Sequence, residues 1–115
     1  MSKKMPVLQF FVSDHLSDTH HLTLEEQGCY ILLLFYTWLN RCRPFPDDGV
    51  TIPKLLHITI EKWEELKPEI EPFFDLSDGS FRQLRLEETW NDAERRIAKS
   101  KAAAEARWLQ ERRDD

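Results

Sequence analysis

Thr23-Leu-Glu-Glu-Gln-Gly-Cys-Tyr-Ile-Leu-Leu-Leu-Phe-Tyr-Thr-Trp-Leu-Asn40 decides how the rest of the chain is read. Thr23 followed three residues later by Glu26 is a capping box: the Thr oxygen accepts one orphan amide proton, and the Glu reaches back to another. Glu25 and Glu26 also suit the positive end of a helix dipole. Leu24, Gly28, Ile31, Phe35 and Trp38 recur at steps of three and four, while Cys29, Leu32, Leu33, Tyr36 and Leu39 fill a second face. The pattern predicts a central helix, apolar nearly all round, that needs partners on several sides. Gly28 costs roughly 1 kcal/mol against Ala in a helix interior, so it is expected where another segment presses on the backbone. Two carboxylates, a Gln and an Asn within eighteen residues argue against insertion into a bilayer.

The chain has 115 residues, 32 % of them charged, with a net charge of -5 and only three Gly, which places it with helix-rich soluble domains rather than disordered or low-complexity chains. After Met1-Ser-Lys-Lys comes a short apolar run without a small-residue cleavage site, so no signal peptide is read and the cytoplasm is the expected location. Cys29 and Cys42 lie at opposite ends of the central helix, without disulfide or zinc spacing, and read as free thiols. Charge is split along the chain. Residues 1–93 carry nine Lys and Arg against sixteen Asp and Glu, a net of -7, whereas residues 94–113 carry seven basic against three acidic groups, a net of +4. The C-terminus is a basic arm on an acidic body.

Residues 6–12, Pro-Val-Leu-Gln-Phe-Phe-Val, are short and rich in β-formers, and predict one strand. Ser13 to Thr19 predicts a short helix with Asp or Ser caps; the Asp14 and Asp18 pair reads as capping rather than as a cation site. His20-His21 lacks the spacing that places two imidazoles on one helical face. Pro44, Pro46 and Asp48-Gly49 break the chain after the central helix. A short helix with Thr51 as its N-cap and a second over residues 60–67 capped by Thr59 then outline a helix-turn-helix, with Pro68 and Pro72 bounding a last turn. Asp78-Gly79 between apolar runs predicts a hairpin that would serve as a wing, with residues 7–12 as its pairing partner in a sheet of about three strands. Leu86, Trp90, Ala93 and Ile97 form an apolar stripe that fades into an Ala-rich helix former. The expected fold class is mainly α with a small β-sheet: a winged-helix-like domain over residues 1–97, with a long central helix, and a basic helical extension over residues 98–115.

Asp14 with Asp18-Thr19, Leu22-Thr-x-Glu-Glu-x-Gly-x-Tyr30, Phe45-Pro-Asp-Asp48, Trp63 before Phe73-Phe74, Asp78-Gly79, Arg85-Leu-Glu87 and Ala103-Ala-x-Ala-Arg-Trp108, in this order, resemble the YdaU-like phage and prophage proteins, a family of unknown function. The resemblance covers nearly the whole chain. It implies a winged-helix-like, replication-associated domain, in relatives some of which carry further C-terminal segments, and it implies no known reaction. Where relatives carry a basic residue after the two glutamates, this chain has Gln27.

Two functional readings follow, a DNA-binding module and a protein–protein adaptor for a primosome or regulatory partner. The second helix of a DNA-reading helix-turn-helix needs donors toward bases and phosphates. Here residues 59–71 carry five glutamates against Lys62 and Lys67, so phosphate would repel them. Nucleic-acid contact is therefore expected from Arg82 and Arg85 on the wing and from Arg95, Arg96, Lys99, Lys101 and Arg107, helped by Arg112, Arg113, Lys3 and Lys4. Trp108, flanked by Arg107 and Leu109, reads either as an anchor for a partner helix or for self-association, or as a side chain that folds back on the body. A third class, an enzyme, lacks a Gly-rich phosphate loop, a nucleophile elbow or a Cys–His arrangement. The acids Asp14, Asp18, Asp47 and Asp48 read as caps rather than a metal-dependent nuclease site. No catalytic residue, metal or cofactor is expected, and no membrane partner.

Overall fold

The computed structural model describes residues 6–113. Helices dominate: α1 Val12–Thr19, α2 Leu24–Leu39, α3 Thr51–Leu56, α4 Ile60–Ile70 with a 3-10 turn over Glu71–Phe73, and α5 Leu84–Arg113. Two short strands, β1 Phe45–Pro46 and β2 Ser80–Phe81, pair antiparallel with Phe45 opposite Phe81. The fold class is thus mainly α with a small sheet.

Local signals set most helix starts. The Thr23 box forms in full, with the Glu26 amide donating to Thr23 Oγ1 at 3.1 Å and the Thr23 amide donating to Glu26 Oε1 at 2.8 Å. Thr59 caps α4 by accepting from the Lys62 amide at 3.0 Å. The start of α3 forms the cap expected of Asp48 and not the one expected of Thr51. Thr51 is its first helical residue, and Asp48 caps it, Oδ1 accepting from the Val50 and Thr51 amides and Oδ2 from the Thr51 hydroxyl. A carboxylate outcompetes a hydroxyl for orphan amides because it brings charge to the dipole end. No side chain caps α1, whose N-cap is Phe11, so the Asp and Ser caps expected there do not form. Pro68 does not bound a turn: α4 runs through it to Ile70.

The expected strand over residues 7–12 is absent; residues 7–11 form an extended strap and Val12 opens α1. The reason is that the segment it was to join has both edges taken. Phe81 pairs with Phe45 on one side, and Arg82 exchanges backbone hydrogen bonds with Asp75 in a single bridge. The hairpin around Asp78-Gly79 is correspondingly reduced to that bridge, and the sheet has two strands rather than three. The strap instead covers α2: the Trp38 indole donates to the Pro6 carbonyl at 2.8 Å, and Phe10 meets Phe35 edge-on at 6.2 Å.

α2 buries one side only. Cys29, Tyr30, Leu33, Leu34, Thr37 and Trp38 face α3, α4 and α5, while Leu24, Leu32, Phe35 and Leu39 are exposed. The helix thus has several partners, α3, α4 and α5 on its buried half and the strap reaching its edge through Phe10 and Phe35, but its apolar pattern is buried over that half alone. Nor does any segment press on Gly28, since a Cβ built there meets nothing within 4 Å; nothing in the structure explains that glycine. Trp63, Phe81, Ile52 and Ile70, each at most 1 % exposed, close the core, with Trp63 and Phe81 ring centroids 5.6 Å apart. Trp90 meets Trp38 edge-on at 4.9 Å and docks the first turns of α5.

Beyond Ala93 the same helix runs on without a break, exposed at every position from 94 to 111. Thirty helical residues span about 45 Å, and the molecule measures 67 × 30 × 29 Å.

Candidate nucleic-acid and partner interface

The basic residues singled out from the sequence separate into two sets. Arg82 is half-buried and tied down: its guanidinium makes a bidentate pair with Glu87 at 3.0 and 2.9 Å and reaches Asp78 at 4.0 Å. The Glu87 carboxylate pushes its pKa further up. A fork–fork pair of this kind fixes geometry, and it joins the end of β2 to the first turn of α5. Arg85 lies 3.5 Å from Asp18 and remains mostly exposed. Arg95 pairs with Asp92 one turn before it. Arg96, Lys99, Lys101 and Arg107 are exposed on α5 and have no ion pair among the described residues. Lys3 and Lys4 lie outside the described residues, as do the side chains of Arg112 and Arg113.

Four cations thus stand on one projecting rod, interspersed with the exposed Glu94, Glu105 and Glu111. By contrast, both lysines of α4 are engaged. Lys62 meets Glu25 at 2.7 Å and Glu65 at 3.4 Å, and Lys67 meets Asp47 at 2.8 Å and Glu71 at 3.6 Å. Glu25 and Asp47 are the principal causes that raise the two ammonium pKa values. What α4 then presents to solvent is carboxylate.

Trp108 and Leu109 are 55 % and 56 % exposed, and Ile97, last of the apolar stripe, is 53 % exposed. The stripe docks through Leu86, Trp90 and Ala93 and ends there.

Three of the four acids considered for metal serve elsewhere, Asp47 in the Lys67 pair, Asp48 as the α3 cap and Asp18 beside Arg85, and Asp14 is exposed on α1. Among the described residues no group of three His, Cys, Asp or Glu is placed to hold a metal ion. His20 Nδ1 lies 3.0 Å from the Ser17 carbonyl, and His21 stacks on Phe73. Cys29 and Cys42 are buried free thiols, each pushed up to about 11, first by desolvation and then by nearby carboxylates. A thiol so shifted is a poor nucleophile at neutral pH. No described helix is long and apolar enough to cross a membrane.

One feature went unread in the sequence. The strap, α1, Tyr30 and Leu34 of α2, and the first turns of α5 enclose a cavity of about 280 Å³. Leu8, Phe10, Leu34 and Leu86 give it an apolar floor; Asp14, Asp18, Arg85 and Glu88 stand round it. Tyr30 forms one wall, stacked between His15 at 5.6 Å and Phe73 at 4.5 Å. Burial raises the pKa of its phenol, partly offset by a Gln83 hydrogen bond. The apolar alternation of residues 8 and 10 beside an acidic helix was the available signal, and the strand reading absorbed it.

Comparison with known proteins adds a family and little chemistry. A model described as "Protein of unknown function (DUF1376)" matches residues 6–91. The chain is 33 % identical over 102 residues to "Uncharacterized protein YdaU" of Escherichia coli (strain K12), a match over 89 % of this chain and 35 % of the relative. It spans about a third of that curated relative's length. No solved structure matches.

Proposed function

This chain belongs to the DUF1376 family of proteins of unknown function, and from its own geometry we propose a non-enzymatic, winged-helix-like DNA-binding module, replication-associated and of phage or prophage origin. The α3–α4 pair and the ladder beside it are read as a winged helix that serves as scaffold, and the distal half of α5 as the contact. One observation carries the reading: Arg96, Lys99, Lys101 and Arg107 stand exposed on a helix that leaves an acidic body. Phosphate neutralisation by unpaired cations is driven by counterion release, and it needs no base-reading helix.

Fluorescence anisotropy with labelled single- and double-stranded DNA tests this. Four phosphate contacts give a log–log salt slope of about -3.6. Replacing the four cations by Gln is expected to abolish binding, while Arg82→Gln leaves the slope unchanged because that guanidinium is already spent on Glu87. No binding at low salt, where attraction is least screened, would sink the reading. A protein–protein adaptor is the second reading, favoured by the exposed Trp108-Leu109 pair.

A further inference from the structure

The cavity between the strap, α1, α2 and α5 lies apart from the distal half of α5 proposed as the DNA contact. We propose that it receives the distal half of α5 from a second copy of the chain, Trp108 entering the cavity while Arg107 and Lys101 meet its acidic rim.

Charge complementarity is the first argument. The body carries -7 and the arm +4, and two rim carboxylates, Asp14 and Glu88, are exposed without an ion pair among the described residues. Asp18 is shared with Arg85, so the rim as a whole is negative. The second argument is size and lining. About 280 Å³ over Leu8, Phe10, Leu34 and Leu86 lies at the small end of the roughly 300–1,000 Å³ of sites that enclose a drug-sized ligand, and the cleft is open to solvent. It suits one large side chain whose backbone stays outside.

The third argument identifies the copy. Glu88 lines the cavity from the start of α5, and Trp108 lies twenty residues further along the same helix, about 30 Å away along its axis. A continuous helix cannot return its own Trp108 to its own first turn. Another copy's can. Lys101, Ala104 and Trp108 share a helix face at steps of three and four, and Ala104 lets the backbone approach the rim closely. Because arm and cavity are different surfaces of one chain, two copies can exchange arms in a closed pair or link arm to cavity into longer assemblies. Assembly should therefore grow with concentration, to an arm-exchanged dimer or beyond it.

Sedimentation velocity of the full chain over a concentration series, at low and high salt, gives the test. The expected result is self-association that weakens with salt. The cavity variant Asp14→Lys/Glu88→Lys and the arm variant Arg107→Ala/Trp108→Ala should each weaken it by more than about tenfold, the order for an aromatic anchor. Their equimolar mixture retains one intact arm and one intact cavity, and should form a 1:1 pair; that restoration shows both variants to be folded. A wild-type chain that stays monomeric throughout overturns the proposal, as does a mixture of two folded variants that fails to pair. The cavity variant keeps every arm cation, so its DNA binding reports on the arm separately from its association.

Discussion

Asp48 shows how one side chain replaces a local expectation and leaves a measurable trace. It accepts two amides and a hydroxyl, which lowers its pKa to about 2, the Thr51 amide contributing most. A folded pKa below the unfolded value gives stability that is present above the unfolded pKa and lost as pH falls through the folded one. Acid titration of the wild type should therefore lose a contribution between about pH 4 and pH 2 that Asp48→Ala lacks. The buried thiols show the opposite sign, since a pKa raised to about 11 contributes stability that is full below pH 9 and is lost as pH rises from 9 through 11. At pH 8 a disulfide reagent should modify Cys29 and Cys42 only as fast as the chain opens, and in denaturant at the rate of free thiols. Gly28 supplies a third test. With open space where its Cβ would be, Gly28→Ala should gain about 1 kcal/mol from helix propensity alone. A loss in thermal unfolding would reveal a close contact that the fold does not show.

At the scale of elements, what the sequence disclosed was whatever lay within a turn of itself. The Thr23 box and the Thr59 cap are three-residue patterns and formed as read. Removing one such cap by Thr23→Ala is expected to cost about 1 kcal/mol, and Thr23→Ser to restore most of it, as chemical denaturation would show. Pairings between distant segments were not readable in the same way. Residues 7–12 have the composition of a strand, yet the edges of residues 80–82 are occupied by Phe45 and Asp75, and β-propensity decides little where no edge is free. The apolar surround of α2 misled for a related reason. Periodicity records which residues are apolar, but the choice among faces depends on where α3, α4 and α5 arrive. Of the candidate site, the cations of α5 were visible as a charge run, whereas the engagement of Arg82 by Glu87 and the cavity beneath the strap depend on tertiary neighbours. The cavity's acidic rim joins α1 to α5 across seventy residues, a distance no spacing rule spans.

The whole molecule is set by the mismatch between a compact body and one long helix. A compact chain of this length has a radius of gyration of about 13 Å, and the observed value is 18.7 Å because α5 leaves the core after Ala93. Helical propensity must carry much of the weight over residues 94–111, every one of which is exposed. Alanine at positions 102, 103, 104 and 106 favours the helix, yet an isolated stretch of this length is marginal without tertiary support. Two measurements follow from that balance. Amide exchange should be slow from Leu86 to Ala93 and fast beyond, with protection falling over about one turn, since opening free energy tracks burial. Small-angle scattering in high salt, where attraction between the basic arm and acidic bodies is screened, should give a radius near 18.7 Å. A value near 13 Å would mean that the arm lies against its own body, breaking α5 near Ile97 and removing both the projecting cations and the reach that the proposed association between copies needs. Agreement with the larger value at high salt, with an increase at low salt and high concentration, would instead tie the extended arm to its use between copies.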